Sequence, residues 1–173
     1  SFLYLQDALA VAGTGDEIRV ADGTYRPDQG GSQTAGNRKA TFHVGDDIVV
    51  KGGYAGYGAP SPNARNIDTY ATILEGDLSG NDLWGILNRS DNSYHVVVVT
   101  DDAKLDGLTI RNGQADGAYP DFYGAGIYVE GGQLTVSRCT IRSNSALYGG
   151  GVAARGSAVY FGNCTIAGNR AYM

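Results

Sequence analysis

Residues 124–148 read GAGIYVEGGQLTVSRCTIRSNSALY, and residues 149–173 read GGGVAARGSAVYFGNCTIAGNRAYM. The two segments align without a gap. Gly124 and Gly149, Cys139 and Cys164, Thr140 and Thr165, Ile141 and Ile166, and Asn144 and Asn169 are identical pairs. A fixed period of this length marks a repeat architecture, in which each unit buries its apolar face only against its neighbours. Three short runs alternate inside the repeat: Ile127-Tyr128-Val129, Leu134-Thr135-Val136 and Cys139-Thr140-Ile141. Alternation of this kind is the signature of half-buried strands. The separators Gly131-Gly132, Ser137-Arg138 and Ser143-Asn144-Ser145 are turn residues. Three strands and three bends per repeat predict one coil of a parallel β-helix, with coils stacked at about 4.8 Å.

Stacking places like residues in columns. Cys139 and Cys164 are expected to point inward beside Ile141 and Ile166. Asn144 and Asn169 are expected to form a ladder at a bend, where an amide bonds the neighbouring coil. Thr140 and Thr165 are expected to face outward. The two cysteines fit either an inter-coil disulfide or a buried reduced stack. The reduced stack is favoured, because in-register neighbours seldom have disulfide geometry.

Toward the front of the chain the unit loosens. Leu108-Thr109-Ile110-Arg111 matches Cys139-Thr140-Ile141-Arg142, and the extra length fits a loop at Ala118-Tyr119-Pro120-Asp121-Phe122-Tyr123. Further strands are expected at Ile18–Val20, Ile48–Val50, Thr72–Leu74 and His95–Val99. The count is about four to five coils, a rod of roughly 25 Å. At the front, Phe2, Leu5, Leu9 and Ala12 recur at helical spacing before Gly13 and Gly15. Residues 2–12 are therefore expected to form an amphipathic helix capping the first coil. The whole chain, 1–173, reads as one domain: the cap, irregular coils with loop insertions over 16–123, and two regular coils over 124–173. No matching cap is legible after the last coil. The expectation is a fragment of a longer solenoid, or an end covered by another molecule and available for end-to-end self-association.

Composition narrows the function. Glycine is 27 of 173 residues, about twice the usual share of roughly 7%, and without a Gly-X-Y period it marks bends rather than collagen. A net charge of −5 argues against nucleic acid as a partner. No apolar run approaches the ~18 residues of a membrane span. No leader segment is legible.

The chain resembles the right-handed parallel β-helix repeat proteins of the pectate-lyase-like superfamily, and among them bacterial surface or secreted proteins with polymorphic-outer-membrane-protein-like repeats. FLYLQDALAVAGTGDEIRVADGTYRPD (2–28), VVKGGYAGYG (49–58), TILEGDLSGND (72–82), LDGLTIRNG (105–113) and the two regular coils carry the likeness. The resemblance implies an all-β fold and an extracellular or cell-surface location. It leaves function open, because lyases, hydrolases, adhesins and inert scaffolds share this frame.

The residues lean toward a non-catalytic structural or adhesive scaffold. Lyases of this fold need stacked carboxylates and a basic residue, and no carboxylate column repeats along the coils. Glu75, Asp77, Asn81 and Asp82 form the best local cation site, for a structural calcium, or else an Asx-rich turn. His43 and His95 lack metal-ligand spacing. The long loops at 21–41 and 53–71 are where binding usually resides. Tyr25, Arg26, Tyr54, Tyr57, Arg65, Tyr70 and Trp84 are the candidates for contact with a polysaccharide. The alternatives are a polysaccharide lyase or hydrolase, or a carbohydrate-binding module.

Overall fold

Alternating apolar residues become short strands, and the strands return in the same order at each pass of the chain. A computed structural model describes residues 1–83 and 87–173. The helix α1 (Leu5–Leu9) comes first. The first pass supplies β1 (Glu17–Ala21) and β2 (Gly23–Tyr25). The second supplies β3 (Phe42–Val44), β4 (Ile48–Tyr54) and β5 (Thr72–Glu75). The third supplies β6 (Val97–Val99), β7 (Ala103–Asp106), β8 (Thr109–Arg111) and β9 (Gln114–Ala115). The fourth supplies β10 (Ile127–Val129), β11 (Gln133–Ser137), β12 (Thr140–Arg142) and β13 (Ser145–Ala146). The fifth supplies β14 (Val152–Ala154), β15 (Ala158–Gly162), β16 (Thr165–Ala167) and β17 (Arg170–Ala171).

Each strand pairs in parallel with its counterpart one pass away. The orders are β1-β4-β7-β11-β15, β14-β10-β6-β3, β16-β12-β8-β5-β2 and β17-β13-β9. The fold is thus nearly all-β, with parallel sheets and one short helix, and is compatible with a parallel β-helix. The fourth sheet corrects the expectation of a plain bend after Ile141. Its strands are only two residues long, too short for alternation to show.

Register stacks like residues. Leu74, Ile110, Ile141 and Ile166 form one column in the third sheet. Val50, Leu105, Val136 and Phe161 form another in the first. Ile110, Ile141 and Val136 are 0% exposed, and a fully buried side chain of this kind contributes about 1.5–3 kcal/mol.

The chain turns between sheets through residues of left-handed backbone, and these stack as well. Asn112 (φ 62°), Ser143 (φ 58°) and Gly168 (φ 63°) hold one corner; Gly107 (φ 71°), Arg138 (φ 51°) and Asn163 (φ 55°) hold another. The non-glycine members each carry about 1–3 kcal/mol of backbone strain, which the registered sheets on either side hold in place.

The helix is shorter than its apolar pattern suggests. It covers Leu5–Leu9 rather than 2–12, and no side chain caps its start. Phe2 and Leu3 precede it and are exposed. Backbone bonds from Val11 and Ala12 to Ala8 prolong it as a turn. Leu5 is buried, and Leu9 and Ala12 lean on the same core. Gln6 pins the helix by donating to the carbonyls of Pro27 (2.5 Å) and Thr41 (2.9 Å).

Close stacking leaves no room for a side chain at certain positions. A Cβ on Gly113 would lie 2.1 Å from the Ala125 carbonyl oxygen, whereas one on Gly162 meets nothing nearer than Ser137 Oγ at 3.9 Å. Gly113→Ala is expected to lose about 1–3 kcal/mol or more, and Gly162→Ala to stay within about 0.5 kcal/mol. Urea denaturation of both variants checks this; equal midpoints would contradict the stacking geometry.

Candidate functional site

A parallel sheet pairs its own strands but not its corners. At the turn through Asn112, the Ile110 carbonyl and the Gly113 N–H are met by one side chain from the next pass. Asn144, 1% exposed, donates from Nδ2 to Ile110 O (3.2 Å), and its Oδ1 accepts from Gly113 N (2.9 Å). Asn169 repeats the arrangement one pass later. It donates to Ile141 O (2.8 Å), and its Oδ1 accepts from both the Asn144 N–H and the Asn144 amide (3.0 Å each). This pair is a structural clamp. Beside it, Cys139 and Cys164 are free thiols. Cys139 donates to Ser137 O (3.2 Å), and burial pushes its thiol up to about 12, so it stays protonated and unreactive.

The loop residues expected to contact sugar are mostly committed to the frame. Arg26 donates to the Asp77 carbonyl (2.8 Å). Arg65 donates to the Gly52 carbonyl (2.9 Å) and lies 3.0 Å from Asp106 Oδ2. Tyr54 is buried, with the guanidinium groups of Arg19 and Arg65 at 5.7 and 5.5 Å from its ring. Tyr25 is half-buried and donates to the Ala21 carbonyl (3.2 Å); burial pushes its hydroxyl pKa up. Tyr70 is half-buried and Tyr57 fully exposed. Trp84 lies outside the described residues. Tyr25, Tyr54 and Tyr57 share one concavity of about 700 Å³ with Phe2, Val11 and Ile18; Arg26, Arg65 and Tyr70 are elsewhere.

The acidic cluster folds as a turn. Asp77 Oδ1 accepts from the N–H groups of Gly80 (2.7 Å) and Asn81 (3.1 Å), and Oδ2 from Asp82 (2.9 Å). Glu75 accepts from Arg111 Nε (2.6 Å). Asp82 accepts from Asn92 Nδ2 (2.9 Å), and burial holds its carboxyl above the usual range. Among the described residues, no three His, Cys, Asp or Glu side chains group as metal ligands.

The outward face of the first sheet carries a shallow groove of about 380 Å³ lined by Lys51, Lys104, Asp106 and Arg138. Its charges are paired. Lys51 meets Glu17, Lys104 meets Asp47 (3.0 Å), and Arg138 grips Asp106 through two bonds. Burial alone would raise the Asp106 carboxyl, but Arg138 and Arg65 outweigh it and hold the pKa below the usual range. A carboxylate held ionised this way is no proton donor at neutral pH.

A second cluster escaped the sequence reading. The loop 116–123 lies over the outward face of the second sheet, where Tyr128 on β10 projects between inward Ile127 and Val129. His95, Tyr128, Tyr123 and Tyr148 stack in series, with centroids 5.1, 6.0 and 5.3 Å apart. Phe122 and Tyr119 pack on their flank. Arg155 sits over the rings of Tyr119 (5.2 Å) and Tyr123 (5.4 Å) and donates to the Tyr119 hydroxyl. The inserted stretch 118–123, with three aromatics in six residues, was the available signal.

At the base of this stack His95 is 8% exposed. Its Nδ1 lies 3.2 Å from the Gly124 carbonyl and its Nε2 3.6 Å from Asp121 Oδ1. Burial lowers its pKa, and the Gly124 carbonyl and the Asp121 carboxylate only partly offset this. The fold therefore favours neutral imidazole.

Two outcomes follow from these contacts. Asn144→Ala leaves the Gly113 N–H and the Ile110 carbonyl without the amide and is expected to cost about 2–4 kcal/mol; Asn169→Ala, on a half-exposed residue, should cost less than half of that. Urea midpoints of the pair decide it. As pH drops below the unfolded histidine value of about 6.5, the unfolded chain takes up a proton that the fold refuses, so stability falls. Thermal melts from about pH 7 to about pH 5 should show a decline that His95→Phe, which keeps the ring stack, makes shallower.

No protein-family profile matches the chain, and no curated protein or solved structure is detectably similar to it.

Proposed function

We propose that the protein is a right-handed parallel β-helix of the pectate-lyase-like kind, serving as a non-catalytic structural or adhesive scaffold outside the cell or on its surface. The observation that carries this reading is how the buried carboxylates are used. Glu75, Asp77 and Asp106, each less than a tenth exposed, are held by arginine or backbone N–H groups, so these acids hold the frame together. Registered apolar columns fill the inside and make the frame rigid. Loops on such a frame are suited to attachment.

Association of one copy with another through β14–β17 belongs to the same proposal. Ile166 there is 50% exposed, whereas Ile141, its partner one pass inward, is 0% exposed. Strands at a sheet edge offer unpaired backbone groups to a further strand, whether of the same chain or of another copy.

A second reading, a polysaccharide lyase or hydrolase, would use the groove of Lys51, Lys104 and Arg138 on the first sheet, whose cations would have to exchange Glu17, Asp47 and Asp106 for the carboxylates of an acidic polymer. Incubation with polygalacturonate and alginate, followed by ultraviolet absorbance of new double bonds and by reducing-end release, separates the two. The scaffold reading expects neither signal, together with a light-scattering mass that rises with concentration. Turnover that Arg138→Ala abolishes would replace it with the enzyme reading. A mass independent of concentration would remove the self-association and leave an adhesive monomer.

A further inference from the structure

We propose that the aromatic ledge formed by loop 116–123, Tyr148 and Arg155 binds a neutral pyranose unit of a glycan chain. This rests on the adhesive reading above and names the ligand class. The stack that begins at buried His95 ends at Tyr148, which is 39% exposed, and Tyr119 on the rim is 59% exposed. Successive rings are tilted by only 23°, 12° and 28°, so the outermost ring is backed by three others and held in one orientation.

The chemistry of the patch selects a sugar. Its exposed apolar surface is aromatic, and its polar groups sit at the edges. Arg155 and Glu130 lie 4.0 Å apart beside the rings, and both side chains are more than two-fifths exposed. A pyranose has the complementary form, with a C–H face for a ring and hydroxyl groups at its edge for a guanidinium and a carboxylate. Because Arg155 is offset by Glu130, the ledge offers little net charge to a uronate. A protein partner would need a far wider surface, about 800 Å² per side.

The Tyr128 hydroxyl, on a residue 2% exposed, lies beside Arg155 and Glu130, which hold it at the base of the ledge. One further observation points to a ligand. Alongside the ledge is a cavity of about 180 Å³ lined by Asp116, Phe122, Leu147 and Tyr172. It is smaller than the ~300 Å³ of drug-sized sites and suits a single terminal unit.

The ledge is already ordered, so little freedom is lost on binding. Arg38 ties Asp116 at 2.6 Å. Gly117 N donates to Asp121 O (3.0 Å), Gly124 N to Tyr148 O (3.0 Å) and Tyr148 N to Phe122 O (3.1 Å).

The test uses the full chain against immobilised cello-, chito-, manno- and xylo-oligosaccharides, with oligogalacturonate as the acidic comparison, followed by calorimetry on any that bind. Saturable binding to at least one neutral series is expected. Tyr148→Ala and Tyr119→Ala should each weaken it about tenfold or more, and Tyr148→Phe should retain it within about twofold. The Tyr119→Ala variant should keep a single cooperative melting transition, which separates lost contact from lost fold. Absence of binding to every neutral series, or a preference for oligogalacturonate, overturns the proposal. Binding that survives both alanine changes overturns the ledge but leaves the adhesive scaffold standing. Cleavage of a bound sugar overturns the scaffold reading itself.

Discussion

Everything in this structure depends on how the corners are satisfied. Strands stacked in parallel pair their backbones without help, but a chain that leaves one sheet for the next must turn, and the turn strands a carbonyl and an N–H in the interior. Asn144 bonds both. A carboxylate there lacks the donor, and an apolar side chain meets neither group. The left-handed residues at Asn112 and Ser143 are tolerable because the amide and the flanking strands fix the turn on three sides. One position earlier in the stack, at Gly113, the amide is missing and close backbone contact takes its place.

The same demand explains the charged residues. Asp77 turns its carboxylate onto three backbone N–H groups, and Asp106 is held between Arg65 and Arg138. These pairs bind loops to the strands beneath them. Their net worth as ion pairs is small where exposed; their effect is to set where each loop lies. Loop 116–123 is placed this way by Arg38 through Asp116, and its aromatic residues come to rest on Tyr128.

The regular part of the fold was legible because local periodicity and repeat identity agree. Ile127–Val129 was bounded from the alternation of apolar residues, and the neighbouring strands to within a residue or two. The pairing of Cys139 with Cys164 in one column followed from the repeat. Two-residue strands such as β13 could not be read, since alternation needs more positions than they have. The helix was overestimated because Phe2 and Ala12 share its spacing, while spacing alone does not supply a cap. Tyr54 and Arg65 looked available for a ligand because loop composition carries no information about packing partners; in the fold they pack on each other. The aromatic ledge was hidden for the converse reason. His95, Tyr123, Tyr128 and Tyr148 are drawn from three passes of the chain, and only the stacking brings them together.

The asparagine clamp acts in one direction. Asn144 and Asn169 each reach back to the pass before them. The corner of the third pass is therefore completed by a side chain of the fourth, and that of the fourth by a side chain of the fifth. Damage to one of these passes is felt at the corner of its neighbour, so the stability of a corner is not a property of its own residues alone.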